Sequence, residues 1–490
     1  MVTYAKRAVR GTLIVFINLL IAAFFWYLIR IILARSLTTS EFGLFYAIHT
    51  LVLFFIFFRS LGSNVALIRY IPEFKMKKKF GEIKSAIIAS LMIQTIISIL
   101  FIILIYFLSE FLSNYYFKSS LASALLKIFS FYFLLSIPFY LIKDILRGFQ
   151  KIKAFSFVDT AHNLFVLVIT GFLIFLGFGI FGPVIAFLVG AVLVFLTFII
   201  ITNRTFNILK YKSKNFLNTA KKMLLFGLPV MLSGAGDRII GYFDVLMLTY
   251  YTTLEKVGIY NVALPLALML SVIGYAISWV LYPMVSELSA KKDEKRLKIG
   301  LDFLYRYLFV IIIPIALGAF AFTDLLIKLF FTEAYLPGAT AFKILLIGVA
   351  LYIVARVNFN FITGIGKPKT VTKIIAVSAL LNVILNFLLI PKFGIEGAAL
   401  ATTISYSIGL VFSINRVSKF AKYKVPWFLW LKTLLSGLIF LGIILILKRT
   451  VAVNIWIKLI ALVVATLVYI LLTYLLKVIN INEIKKFLGA

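Results

Sequence analysis

The sequence predicts an all-α polytopic membrane protein. Three observations predict it: an apolar composition, a regular series of helix-length apolar stretches, and an alternation of basic and nearly uncharged connections between them. Hydrophobic residues make up 63% of the 490-residue chain and charged residues 14%, with a mean hydropathy of +1.11. Soluble domains do not reach these values.

Fourteen apolar stretches of about 20 residues, each long enough to cross about 30 Å of hydrocarbon, are expected to be helices. They run over 11–33, 41–62, 84–108, 121–143, 155–177, 181–202, 223–250, 257–284, 304–322, 339–362, 371–391, 395–414, 427–447 and 455–476. The runs are too long and too unalternating for barrel strands, so helices alone fit. The first stretch follows Lys6, Arg7 and Arg10 and exceeds the core of a signal peptide, which predicts a retained anchor.

Orientation follows from the connections. With an inside amino terminus, the inner side holds 34 Lys and Arg against 8 on the outer side, which predicts cytoplasmic amino and carboxyl ends in the cell membrane. The net charge of +33 gathers in runs such as FKMKKKFGEIK and NRTFNILKYKSK beside the helices. It is read as topogenic charge facing anionic membrane lipids, with no nucleic-acid partner.

Several chemistries are excluded or disfavoured. The chain has no cysteine, so disulfides and thiol catalysis are absent, and His49 and His162 are too few and too separated to suggest a metal site. GIGKPKT (364–370) lacks the spacing of a phosphate-binding loop. The longest outward connection, TDLLIKLFFTEAYLPG, has 16 residues and leaves little protein outside the membrane for catalysis. The expectation is a non-enzyme without cofactor, driven by Na⁺ or H⁺ coupling or by the membrane potential alone.

An internal repeat then divides the chain. RIILARSLTTSEFGLFY (30–46) returns as DVLMLTYYTTLEKVGIY (244–260), at an offset of 214 up to Glu41 and Glu255 and 215 after a one-residue insertion. FGIFGPVIAF (178–187) returns as FGIEGAALAT (393–402) at 215. Six stretches separate the copies, so both halves have the same orientation, and parallel repeats are related by an axis along the membrane normal around a central cavity. The expected divisions are an N-lobe over 1–210, a C-lobe over 211–422 and an additional helix pair over 423–490.

LARSLTTSEFGLFYAIHTLVLF, followed by LGSNVALIRYIPEF (61–74), resembles the start of polysaccharide flippases of the multidrug/oligosaccharidyl-lipid/polysaccharide (MOP) superfamily. LNVILNFLLIPKFGIEGAALATTISY (381–406) is similar to their second-half signature. The resemblance implies two six-helix lobes plus two helices. It also implies alternating-access translocation of a lipid-linked oligosaccharide from the cytoplasmic to the outer leaflet. The partner would be a polyprenyl- or dolichyl-(di)phosphate-linked oligosaccharide. A monomer would hold a complete pathway, in association with polysaccharide-synthesis enzymes.

The intramembrane charges give an independent reading. Lys127, Arg306, Lys343 and Lys432 lie near helix ends and can snorkel. Arg30, Arg59, Arg238 and Arg356, in the first, second, seventh and tenth stretches, are the candidate substrate-binding residues. A buried arginine costs about 2.5 to 3.5 kcal/mol on insertion scales, and a guanidinium can grip phosphate oxygens as a bidentate fork. Arg59 also stands where snorkelling competes.

Arg30 aligns with Asp244 across the repeat, which predicts an ion pair at an outer gate. The seventh stretch reads as a moving part because FGLPVMLSGAGDRIIGYFD carries Gly227, Pro229, Gly234, Gly236 and Gly241. Asp237, Gly241 and Asp244 share a helix face as gating or coupling residues, and Asp237 reads equally as a neutraliser of Arg238. Tyr27, Tyr242 and Tyr275 are weak sugar-contact candidates, and Asn382 and Asn386 read as interhelical hydrogen bonders.

Alternatives remain open at this level. They are an ion-coupled exporter of organic cations, a lipid II flippase, a membrane-embedded glycosyltransferase, and a non-transporting scaffold for polysaccharide synthesis. A cation exporter calls for a carboxylate-led cavity, whereas the first stretch carries Arg30.

Overall fold

A computed structural model describes residues 2–450 and 455–480. Among these residues the fold is helical without strands. The helices are α1 (Val2–Ser36), α2 (Thr39–Arg59), α3 (Ser63–Met76), α4 (Phe80–Phe111), α5 (Leu121–Ser130), α6 (Tyr132–Leu135), α7 (Ile137–Gly148), α8 (Ile152–Phe175) and α9 (Phe181–Thr205). They continue with α10 (Phe216–Tyr251), α11 (Leu254–Leu268), α12 (Ser271–Ala290), α13 (Glu294–Ala321), α14 (Thr323–Phe330), α15 (Ala339–Gly364), α16 (Pro368–Ala421), α17 (Trp427–Thr450) and α18 (Ile455–Leu475).

Eleven helices among the described residues are long and apolar enough to cross a membrane, or twelve when the bent pair α11 and α12 is one span. The difference from the expected fourteen has two sources. The stretches 371–391 and 395–414 share α16, and the described apolar part of α18, Ile460–Leu475, is shorter than a full span. Inside α16, Gly394 has φ 58° and ψ −127°, outside the helical region. Asn382 Nδ2 donates to Thr402 Oγ1 at 3.3 Å, although 20 residues of straight helix would separate them by about 30 Å. The chain therefore folds back on itself at Gly394.

Two further departures follow from local chemistry. The fourth expected stretch is broken into α5, α6 and α7, with Pro138, which has no N–H to donate, at the start of α7. The connection 63–83 contains α3, too short and too charged to read as a span. Its Leu67, Ile71 and Phe74 are buried with residues of α4 and α7.

The chain forms two compact units, Met1–Asn261 and Val262–Ala490. In the first, α10 packs on α2, α3 and α4, so the unit takes in more than the first repeat. The connection into α10 is tied to α4: Ser85 Oγ meets Ser213 Oγ at 2.7 Å, and the Lys214 N–H donates to Ser85 Oγ at 3.0 Å. In the second unit, Phe440 of α17 and Tyr469 of α18 are buried with Ala321 of α13. The Tyr469 hydroxyl donates to the Val310 carbonyl at 3.0 Å.

The sequence repeat has a structural counterpart inside the first unit. Thr38 caps α2, accepting from the Glu41 N–H at 3.2 Å while Glu41 Oε2 accepts from the Thr38 N–H at 3.0 Å. Thr253, 215 positions later, likewise accepts from the Lys256 N–H at 3.4 Å. The one-residue shift in the repeat thus falls before the cap, and Glu41 and Glu255 are not equivalent. Gly43 and Gly258 are also 215 apart, and a Cβ on either would strike the other helix. Gly43 would meet the Leu254 carbonyl and the Gly258 N–H, and Gly258 would meet the Thr39 carbonyl and the Gly43 N–H. Leu254 is the repeat mate of Thr39, so the contact is reciprocal, as across a local twofold.

Candidate functional site

The first unit contains a polar chamber of about 150 Å³ lined by Arg59, Asn64, Gln94, Tyr140, Asp144 and Arg238, with Tyr242 beside them. Five elements build it: the end of α2, the start of α3, the middle of α4, and the facing sides of α7 and α10. Two of the four candidate arginines, Arg59 and Arg238, therefore meet at one cavity.

Arg59 is the last residue of α2 and is 1% exposed. Its place is set by the break between α6 and α7. Its Nη1 donates to the Phe133 carbonyl at 2.5 Å and to Ser136 Oγ at 2.8 Å. Ser98 Oγ also donates to the Phe133 carbonyl, at 2.9 Å. A carbonyl released by the helix break would be costly in an apolar surrounding, and the guanidinium satisfies it. The Tyr140 ring lies 5.1 Å from the guanidinium carbon, and Arg59 Nε has no hydrogen-bond partner. The buried arginine thus completes the helix break and keeps a donor in reserve.

Arg238 is exposed on α10 and loosely held, with Nη1 3.4 Å from the Tyr242 hydroxyl one turn away and the Phe57 ring at 5.7 Å. Asp144 stands one helical turn after Tyr140 and is half-buried. Its neighbour Lys143 is committed elsewhere, to Asp159 Oδ1 at 2.6 Å.

The remaining candidates are not among the residues that line this chamber. Arg30 is 7% exposed, donates Nη1 to the Asn261 carbonyl at 2.6 Å and lies 4.1 Å from the Tyr46 ring. Asp244 is 1% exposed and accepts from the Tyr260 hydroxyl at 2.6 Å. The two repeat mates thus reach adjacent residues of α11, Tyr260 and Asn261, where the sequence led us to expect a direct ion pair. Asp237 is exposed on α10.

Pro229 lies within an α10 that stays helical throughout, and Gly241 has open space around its Cα. Gly227 has a packing role: it meets the backbone of Gly62, whose φ is +76°. In the second unit, Arg356 lies 3.9 Å over the Tyr275 ring and donates Nη1 to the Tyr352 hydroxyl at 3.2 Å. That unit also has an apolar groove of about 480 Å³ lined by Phe309, Ile313, Leu346, Trp427, Trp430 and Leu434.

Asp144, Gln94 and Asn64 were not candidates from sequence. Gln94 is an isolated amide in an apolar run, Asp144 falls one residue past the expected fourth stretch, and Asn64 lies in what read as a connection. An intramembrane amide or carboxylate is itself a signal. What was missing was the packing that brings five elements together.

Residues 8–289 match the family described as polysaccharide biosynthesis protein, and residues 229–388 match MatE. An uncharacterized membrane protein of Methanocaldococcus jannaschii is 30% identical, with 99% of each chain covered. A probable low-salt glycan biosynthesis flippase of Haloferax volcanii is 25% identical over 53% of this chain and 55% of its own. Among solved structures, a lipid II flippase in an inward closed conformation superposes with a TM-score of 0.77 at 21% identity. That match covers 96% of this chain and 98% of the other.

Proposed function

The chain belongs to the polysaccharide biosynthesis protein family, as a multi-pass membrane transporter of the MOP superfamily rather than an enzyme, and from this premise we propose that it flips a lipid-linked oligosaccharide. The head group is a polyprenyl or dolichyl phosphate or diphosphate, carried from the cytoplasmic to the outer leaflet, with both chain ends cytoplasmic. The repeat halves 1–210 and 211–422 are the working lobes, and 423–490 is the additional pair. The observation that carries the reading is the convergence of Arg59 and Arg238 on one chamber with neutral donors around them.

The Arg59 and loosely held Arg238 side chains that line the chamber supply positive charge and charge-assisted donors for phosphate oxygens. Gln94, Asn64, Tyr140 and Tyr242 supply neutral partners for the ester and the first sugar. Arg30, Asp237 and Asp244 belong in this reading to the gating machinery of α1, α10 and α11, with Pro229 and Gly241 easing its bending. Arg356 reinforces the second unit. The apolar groove of that unit suits an isoprenoid chain.

Outward movement of negative charge against an inside-negative potential is downhill by about 2.3 kcal/mol per charge per 100 mV. A dianionic head group therefore moves without bound nucleotide.

Export of organic cations is the second reading, favoured by the MatE match over 229–388. Two arginines at the chamber oppose it, because a cation would meet like charge. The test is flipping of a fluorescent lipid-linked oligosaccharide in proteoliposomes under an imposed potential. Voltage-responsive flipping that falls in Arg238→Gln supports the proposal. Absence of flipping by folded wild type, together with uptake of an organic cation, overturns it.

A further inference from the structure

The chamber contains one acidic side chain that the proposed phosphate site does not need. Asp144 lines it with Arg59 and Arg238, and no described ion pair or hydrogen bond engages its carboxylate. A carboxylate facing a chamber for an anion is a conflict, since like charges in a poorly screened site repel strongly. We propose that Asp144 takes up a proton when an anionic head group enters the Arg59–Arg238 chamber, so that proton binding and anion binding are linked. The inference rests on reading the chamber as a phosphate site.

The surroundings leave Asp144 as the group to respond. Arg59 of α2 and Arg238 and Tyr242 of α10 line the chamber with it. The start of α3 and the middle of α4 contribute the neutral Asn64 and Gln94. On α7 itself, Tyr140 is one turn away, Lys143 is paired with Asp159 of α8, and Arg147 lies 5.7 Å from the Phe155 ring. On α3, Arg69 stacks on Phe226 at 4.1 Å. Glu73 there pairs with Lys77 and Lys222, and the Lys77 hydrogen bond holds its carboxyl below the usual range. Tyr132 of α6 is a neutral phenol, and α9 has no charged side chain before Arg204. Each of the other charges has a ring or an opposite charge to meet, or is an arginine that the incoming anion would itself engage.

The empty and filled chambers then differ in a defined way. Without ligand, the Asp144 carboxylate offsets part of the arginine charge. With an anion on the arginines, that offset is lost and the carboxylate faces two negative groups, which favours its protonated form. By linkage, whatever protonates on binding makes binding tighter as pH falls. Protonated Asp144 also becomes a donor to a phosphate or sugar oxygen.

The probe is a short-chain prenyl diphosphate sugar, whose esterified phosphates keep a constant charge across the range used. Calorimetry on purified full-length protein should show binding at least about tenfold tighter at about pH 6 than at about pH 8. Uptake in weak buffer should approach one proton per probe bound, a measurement that needs no variant. Asp144→Asn should remove the pH dependence, binding at about pH 8 at least tenfold more tightly than wild type. Asp144→Glu should keep it.

Binding without proton uptake, or an Asp144→Asn protein that keeps the wild-type pH dependence, overturns the role of Asp144 and leaves the phosphate site standing. Binding that requires Na⁺ in place of proton uptake also overturns it. Failure of wild type to bind the probe at either pH overturns both readings.

Discussion

Arg59 in the first unit and Arg356 in the second differ in the room left around them. Both have an Nε without a hydrogen-bond partner, both use Nη1 on a neutral oxygen, and both lie beside a tyrosine ring. Around Arg59 the ring stands off at 5.1 Å and a chamber of about 150 Å³ opens onto further polar side chains. Around Arg356 the Tyr275 ring closes to 3.9 Å, and Tyr352 is itself stacked on Tyr406 at 4.4 Å. A buried cation is a ligand site only where the packing leaves volume beside it. Where aromatic faces lie against the cation, as at the part-buried Arg356, the proposed role is structural.

Arg59 carries the largest expected effect. Replacing it with Met removes a charged donor from the Phe133 carbonyl and from Ser136, and each such bond is worth about 1.5 to 3 kcal/mol. The expected outcome is a stability loss of about 3 kcal/mol, read as a lower unfolding temperature in detergent, together with loss of flipping. Full stability in Arg59→Met would mean that the helix break does not need the guanidinium.

Arg238 isolates the transport role, since its only described polar contact is the 3.4 Å approach to Tyr242. Arg238→Gln should slow flipping about tenfold, near 1.4 kcal/mol, with no shift in unfolding temperature. Equal flipping in variant and wild type would remove Arg238 from the site.

The fold was legible in the sequence wherever one physical signal dominated. Apolar length marked the helices, and the 215-residue echo marked Gly43 and Gly258, whose reciprocal contact requires the absent side chains. It was less legible where breaks decide the architecture. In the run 121–143 Pro138 marks only the start of α7, with no comparable signal between α5 and α6, and α3 hides because its apolar face is narrow and its carboxyl end is charged. For the candidate site, two of the four arginines singled out in apolar stretches line one chamber. Which two depended on packing: periodicity along α10 puts Asp237, Gly241 and Asp244 on one face but does not say what faces it. Asp144 was lost because a residue at the edge of a stretch reads as part of a connection.

In the second unit the expected effects are smaller. Arg356→Gln should cost about 1 kcal/mol of stability, the scale of a partly desolvated cation on an aromatic ring. Flipping should change by less than about twofold, because the guanidinium is already engaged by the Tyr275 ring and the Tyr352 hydroxyl. A flipping loss as large as that of Arg238→Gln would erase the distinction between the two arginines.

The smallest effect is expected at Tyr352, the partner of Arg356. Tyr352→Phe removes one 3.2 Å hydrogen bond to Arg356 Nη1 and leaves the ring stacked on Tyr406. Stability should fall by about 0.5 to 1.5 kcal/mol, the net worth of a single hydrogen bond. What matters is the sign of any change in binding. If Arg356 is purely structural, releasing a donor beside a filled aromatic site creates no new place for an anion, and affinity for a prenyl diphosphate sugar stays where it was. If the Tyr352 hydroxyl instead holds a ligand-binding arginine in reserve, releasing it strengthens binding, and Arg356→Gln made in the same background takes that gain away. The double variant separates an arginine with no room from one whose room is temporarily occupied by its own tyrosine.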